Sequence, residues 1–183
     1  MNLVLLRHEE RYESPLFFTS LTEKGLINSE KLVHEINKIK LDVIYSSPFL
    51  RTIQTIRPYC LYSSKKIRVD YCLYEYIHAN EFTKNNYKHH VTELEPQIYK
   101  DIIDDYCPIL QPEELNYKEN EDMIKERVYN FIKIIEQRHI GKTVLIVSHM
   151  STLNMIKNYY DNKTQLEDPI NVGSLYYLDK QSS

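Results

Sequence analysis

The chain has three glycines in 183 residues, Gly25, Gly141 and Gly173, and no two are close together. A GxGxxG turn or a P-loop needs clustered glycines to present backbone amides, so neither can be built here. Any phosphate held by this protein must be held mainly by side chains. Cysteine is equally sparse: Cys60, Cys72 and Cys107 are too scattered for a disulfide framework or a CxxC zinc site, and they fit a reducing compartment. No stretch approaches the ~20 apolar residues of a membrane span. The apolar start Leu3–Leu6 is far shorter than the core of a signal peptide, so no leader is expected. A net charge of −3 and a pI near 6.2 argue against a general binder of nucleic acid or membrane surfaces. These features together predict a cytoplasmic protein.

Two apolar runs each lead directly into a histidine. Leu3-Val4-Leu5-Leu6 ends in Arg7-His8, and Val144-Leu145-Ile146-Val147 ends in Ser148-His149. Runs apolar on both faces read as strands of a parallel sheet. In open α/β sheets, ligands bind beyond the carboxyl ends of such strands. A guanidinium at the tip of an apolar strand needs a partner, and Arg7 therefore implies an anion.

Strand and helix patterns alternate through the chain. Thr22 caps a predicted helix over Glu23–Lys38, with Leu26, Ser29, Val33 and Ile36 on its buried face and Gly25 allowing close approach to the sheet. Asp42–Tyr45 is a second strand. Ser46-Ser47-Pro48 reads as a helix start, with serine at the cap and proline in the first turn. Phe49, Ile53 and Ile56 form that helix's stripe, and Pro58 is expected to end or kink it near Ile56. Ile67–Asp70 is a third strand. From Tyr76 to Lys118 the periodicity weakens, and this stretch reads as a partly helical insertion over one end of the sheet. Asn120 starts a helix with Ile124, Val128, Phe131 and Ile135 inward. Thr143–Val147 follows as a strand, then a helix over Ser151–Tyr160 with Leu153, Ile156 and Tyr160 inward, then an edge strand at Leu175–Leu178. The tail Gln181–Ser183 is expected to fray. One domain spans 1–183: a three-layer α/β sandwich with a mostly parallel central sheet and helices on both faces.

Candidate groups fall just past the strand ends: Arg7 and His8, Arg51 one turn into the second helix, Glu75, and His149. Phosphoryl transfer relies on positioning and charge stabilisation. Arginine binds phosphate oxygens bidentately. A neutral histidine is available as nucleophile near pH 7, and a carboxylic acid can protonate a leaving oxygen.

At these positions the residues resemble the histidine phosphatase superfamily, the phosphoglycerate mutase-like proteins. Leu5-Leu6-Arg7-His8 is similar to its Arg-His-Gly motif, and Leu21-Thr22-Glu23-Lys24-Gly25 to its LTxxG helix start. The run from Ser46 through Pro48 and Arg51 to Thr55 resembles SSPxxRxxQT. Asp70 to Glu75 resembles the stretch bearing the acid, and Val147-Ser148-His149 the second histidine motif. The resemblance implies that His8 becomes phosphorylated, that Arg7, Arg51 and His149 hold the transferred group, and that Glu75 protonates the leaving group and then activates water. It implies no metal and no cofactor. Arg7-His8-Glu9-Glu10-Arg11 also resembles the RHGER variant found in suppressors of T-cell-receptor signalling and their relatives, which adds Arg11 as a fourth phosphate-binding cation. The implied activity is hydrolysis of a phosphomonoester whose class the sequence does not specify. The alternatives are a cofactor-dependent mutase of the same chemistry and a catalytically inactive binding module.

Two places depart from the pattern. Glu9 replaces the usual glycine beside the nucleophile, where a carboxylate opposes phosphate unless it points away or pairs with a base such as Arg11. Met150 and Ser151 replace glycines that ease the turn after the second histidine. Other chemistry-bearing residues read as structural. His89-His90 lack metal-ligand spacing, Glu81 is a weaker rival to Glu75, and Tyr87, Tyr99, Tyr106 and Tyr117 pack the insertion. Asp101, Asp104, Asp105, Glu113 and Glu114 form a solvated face. Ser46 or Ser47 serves as a helix cap, with no GxSxG elbow in the chain.

Overall fold

The two strands that lead into histidines lie side by side. In the computed structural model, which describes residues 1–78, 80–161 and 169–178, β1 (Asn2–Arg7) pairs in parallel with β4 (Thr143–Ser148). Their register aligns Arg7 with Ser148. On the far side of β4 come β2 (Val43–Ser46) and then β3 (Ile67–Val69), both parallel. β5 (Leu175–Leu178) runs antiparallel along the outer edge of β1, giving the order β3-β2-β4-β1-β5. The sheet is therefore mostly parallel, with one antiparallel edge strand.

Alternate residues of each strand supply two cores. Val4, Leu6, Ile44, Leu145 and Val147 face α1 (Glu23–Asn37) and α2 (Leu50–Ser63), which contribute Leu32, Ile36, Ile53, Ile56, Tyr59 and Cys60. Leu3, Leu5, Tyr45, Val144 and Ile146 face α4 (Glu121–Arg138) and α5 (Met150–Asp161), through Ile124, Val128, Phe131, Ile135, Leu153 and Ile156. The result is a three-layer sandwich. Tyr160, expected inward, is half-buried. Between β3 and α4 lie short 3-10 turns and the brief α3 (Pro96–Tyr99). This segment buries Phe82, Val91, Leu94, Ile102 and Leu115 in the first core. It also lines the β3 edge, where Ile67 N donates to Ile102 O and Asp104 N to Ile67 O.

Local expectations hold where capping chemistry is explicit. Thr22 accepts from Gly25 N and Asn120 from Met123 N, each starting its helix as expected. Three readings need correction. The buried face of α1 is Gly25, Ser29, Leu32 and Ile36, while Leu26 is exposed, so the stripe is turned by about one residue from that expected. Helix α2 begins at Leu50 behind Phe49, without a side-chain cap. Ser46 and Ser47 cannot cap it because the sheet claims them: Ser47 N donates to Val147 O, and Ser46 Oγ to Ser47 O. Pro58 lies inside α2 and does not end it. Losing one helix bond costs about 3 kcal/mol. Burying Tyr59 and Cys60 beyond it offsets that loss at about 1.5–3 kcal/mol for a large apolar side chain. The tail Gln181–Ser183 lies outside the described residues.

Gly25 does allow a close approach, but to a loop and not to a strand. A Cβ there would sit 2.2 Å from the carbonyl oxygen of Glu10. The same carbonyl accepts from Thr22 N at 2.9 Å, so the start of α1 is fastened to the residues following His8. We expect Gly25→Ala to lower stability by about 1–3 kcal/mol, since rigid backbone must move. A urea midpoint equal to that of the wild type would refute this.

Candidate active site

Because β1 and β4 are parallel neighbours in register, His8 and His149 emerge together at the carboxyl edge of the sheet. Their ring centroids are 5.4 Å apart. His8 N continues the ladder by donating to Ser148 O at 3.1 Å. Both histidines are buried.

His8 Nδ1 lies 2.7 Å from the carbonyl oxygen of Glu9. A carbonyl only accepts, so Nδ1 carries the proton and Nε2 keeps a free lone pair. Burial, then the positive charge of Arg51, pushes the His8 pKa down to about 3. The ring is thus neutral and nucleophilic at ordinary pH. His149 Nε2 meets Ser47 Oγ at 2.8 Å, and its Nδ1 faces Glu75 Oε2 at 3.3 Å. A carboxylate on the Nδ1 side favours the proton there. Burial, then Arg51, holds the His149 pKa well below its ordinary value.

Arg51 is fully buried at the start of α2. Nη1 donates to Leu16 O at 2.9 Å, and the guanidinium lies 4.3 Å from the Phe49 ring centroid. Its Nη2 is 3.5 Å from Glu75 Oε2, while Nε and Nη2 make no hydrogen bond. Burial brings its pKa down to about 10, which leaves it charged. Arg7 donates from Nη1 to Ile170 O at 3.1 Å, and its Nε is buried without a partner. Burial raises the pKa of Glu75, with Arg51 opposing. One Glu75 oxygen accepts from Tyr76 N at 3.1 Å, and the other faces His149 and Arg51.

Unmade bonds are the informative feature. Arg51 Nε and Nη2, Arg7 Nε and His149 Nδ1 are all buried and lack a hydrogen bond. Each buried donor left unpaired costs about 1–3 kcal/mol, more if charged. Such a cluster is built for an oxyanion.

Two positions that departed from the pattern are accommodated. The Glu9 carboxylate does not pair with Arg11; it packs against Gly173, where a Cβ would lie 1.9 Å from Glu9 Oε1. Gly173 has φ +65° and donates its amide to Arg7 O, so glycine is needed there for both room and conformation. Met150 opens α5 with its side chain partly exposed, and His149 O accepts the helix bond from Leu153 N. No glycine is required at that turn.

Arg11 Nη1 donates to the carbonyls of Tyr12, Glu13 and Ser14, and its charge contributes to the depressed pKa values of His8 and Arg51. Glu81 pairs with His78 at 3.4 Å. His89 packs on Phe17 and Phe18 and pairs with Glu93, while His90 caps a 3-10 turn. A cavity of about 750 Å³ along α4, between Leu110 and Lys133, contains none of the five candidate groups.

Several supporting residues escaped the sequence reading. Ser47, expected as a cap, instead holds His149. Thr55 Oγ1 accepts from Glu9 N at 3.0 Å, and Gln54 Oε1 accepts from Leu21 N at 2.8 Å. All three lie in the Ser46–Thr55 run, whose tight spacing was the available signal. The buried pair of Glu119 and Arg127 gave no local signal at all.

Fold and cluster together gather imidazole and guanidinium groups at the end of a parallel sheet, an arrangement with the chemistry to hold an oxyanion. The chain belongs to the histidine phosphatase superfamily: the model of its branch 1 matches residues 7–174. It is 26% identical over 164 residues to phosphoserine phosphatase 1 of Hydrogenobacter thermophilus, covering 81% of this chain and 71% of that protein. Among solved structures it resembles a putative alpha-ribazole-5'-P phosphatase from Escherichia coli. That match has TM-score 0.71 and 19% identity, over 98% of this chain and 90% of the other. It also resembles a mutant phosphoserine phosphatase from Entamoeba histolytica in complex with phosphoserine. There the TM-score is 0.65 and the identity 17%, over 96% and 89% of the two chains.

Proposed function

We propose that the protein hydrolyses a phosphomonoester in two displacements through His8. In the first, His8 Nε2 attacks phosphorus, the P–O bond to the leaving group breaks, and Glu75 gives that oxygen its proton. In the second, ionised Glu75 takes a proton from water, the water oxygen bonds to phosphorus, the N–P bond breaks, and inorganic phosphate departs. Arg7 and Arg51 neutralise the transferred oxygens throughout, with the uncharged His149 donating a hydrogen bond from Nδ1 and Arg11 adding charge at the rim. Glu75 suits both steps because burial raises its pKa and so favours the protonated form.

The single observation that carries this reading is the convergence of unpartnered buried donors on Arg51 and His149 beside the free nitrogen of His8. An inactive module has no reason to keep them unpaired at such cost. The names of the relatives favour net hydrolysis over mutase transfer, and make O-phosphoserine the first compound to try. The partner is then a phosphorylated compound, with no nucleic acid involved and the cytoplasm as the site of action. No helix among the described residues is long and apolar enough to cross a membrane.

The direct test is a rapid quench with ³²P-labelled substrate. A label on the protein that survives alkali and is lost in acid is the expected result, and it should vanish in His8→Ala. A steady-state turnover with no label at His8 would overturn the proposed route.

A further inference from the structure

Glu75 sits on an arch, Cys72 to Ile77, that leaves a 3-10 turn (Tyr71–Leu73) after β3 and continues as irregular backbone. One buried ion pair grips this arch on both sides of the acid. Arg127, on α4, binds Glu119 bidentately, Nε to Oε1 and Nη2 to Oε2, both at 2.7 Å. Its remaining Nη1 donates to Cys72 O at 2.8 Å and Tyr74 O at 3.1 Å. Glu119 Oε2 in turn accepts from Ile77 N at 3.0 Å, and Glu119 N donates to Ile77 O at 2.8 Å. The side chains of Arg127 and Glu119 are 6% and 2% exposed.

Stability does not account for this arrangement. A buried pair pays a desolvation penalty that well-packed apolar residues avoid, and its replacement by them is often neutral or favourable. What the pair supplies is geometry: two carbonyls and one amide of the arch are fixed by one rigid pair of side chains, and the backbone bond from Glu119 N to Ile77 O pins the flank. The same arch is tied to the element bearing His149, since Ser148 Oγ donates to Leu73 O and Thr152 Oγ1 to Tyr74 O, each at 2.8 Å. The acid and the second histidine are thereby held in one frame.

We propose that Glu119 and Arg127 are positioning residues for proton donation, holding the Cys72–Ile77 arch so that the Glu75 carboxyl reaches the leaving-group oxygen. The inference rests on the role given to Glu75 above. Neither residue is a phosphate ligand; both act through the backbone of the arch.

Leaving groups separate this role from a merely structural one. An alkyl phosphate expels an alkoxide that needs a proton, whereas 4-nitrophenyl phosphate expels a stable phenolate that needs none. Glu119→Gln and Arg127→Lys are compared with the wild type on both substrates. The expected result is a loss of about 10–100-fold in kcat/KM, which reports the step up to departure of the leaving group, for the alkyl phosphate, a part of the 10²–10⁴-fold that general acid catalysis supplies. The kcat/KM of the aryl phosphate should stay within about threefold, because Glu75 acts on water only after that step. Equal losses on both substrates, or no loss on either, would overturn the proposal. Should a single variant fail to fold, the double variant Glu119→Leu/Arg127→Met removes both charges and is read the same way. Failure of the double variant to fold as well would assign the pair to stability and reject the inference. Glu75→Gln serves as the control for the underlying reading. If it shows no leaving-group selectivity, the assignment of Glu75 fails. If it does and the pair variants do not, only the present inference fails.

Discussion

His8→Ala should abolish turnover, lowering kcat/KM for an aryl phosphate by about 10⁴-fold or more, the scale seen when a nucleophile is deleted. No neighbour can take its place. The other imidazole has its Nε2 taken up by Ser47, and its Nδ1, which bears the proton, faces Glu75 at 3.3 Å. The serine hydroxyl is itself committed to that contact. In the native protein the attacking nitrogen stays unprotonated down to about pH 3, the value set by burial and by Arg51. Protonation of His8 should therefore not limit the rate between about pH 4 and 7 once the substrate's own ionisation is allowed for. On the alkaline side the sign is reversed. Glu75 must carry a proton to expel an alkoxide, so kcat/KM for an alkyl phosphate should fall as pH rises through its elevated pKa, while that for an aryl phosphate should not. Measuring the wild type's kcat/KM for both substrates across this range and above it tests the two statements together. Residual turnover within tenfold of the wild type would remove His8 from the mechanism.

Arg51→Met should cost about 10³–10⁵-fold in kcat/KM, as for other arginines that neutralise a transferring phosphoryl group. The effect is large because the guanidinium is fully buried and its Nε and Nη2 make no hydrogen bond within the protein, Nη2 lying 3.5 Å from Glu75. In a site that excludes water, preoriented donors stabilise developing charge without reorganisation. Arg51→Lys should recover only a minor part, since an ammonium is a single point charge where the site offers room for a planar fork. Stability should move the other way, or not at all. Methionine of similar length relieves the desolvation of the guanidinium, and Glu75, which loses its partner at 3.5 Å, can take a proton because burial already raises its pKa. A urea titration showing a midpoint equal to or above that of the wild type, beside the lost activity, is the expected pair of results. Loss of activity through global unfolding would contradict this account.

The fold was legible wherever one residue type had one physical reason to be where it is. Leu3–Leu6 and Val144–Val147 are apolar on both faces, and only a covered parallel sheet can hide such runs. Thr22 and Asn120 announce their helices because their short side chains satisfy amides that the helix leaves open. The reading failed where two demands met on one residue. Ser47 has the chemistry of a cap, but its amide belongs to the sheet and its hydroxyl to His149. Pro58 ought to stop α2, but the burial of Tyr59 and Cys60 beyond it prevails.

The linear order of residues was enough to place His8, Arg51, Glu75 and His149 past strand ends or in the first turn of a helix, since strand patterns and the run from Ser46 to Thr55 are local. It could not say where the Glu9 carboxylate goes, because the space for it is made by Gly173, far along the chain. Nor could it reveal that Glu119 and Arg127 grip the arch bearing Glu75. Such contacts join residues that share no periodicity or motif, and they exist only once the sheet has brought its loops together. Patterns of burial and capping are written in neighbouring residues; the partner of a buried charge is chosen in three dimensions.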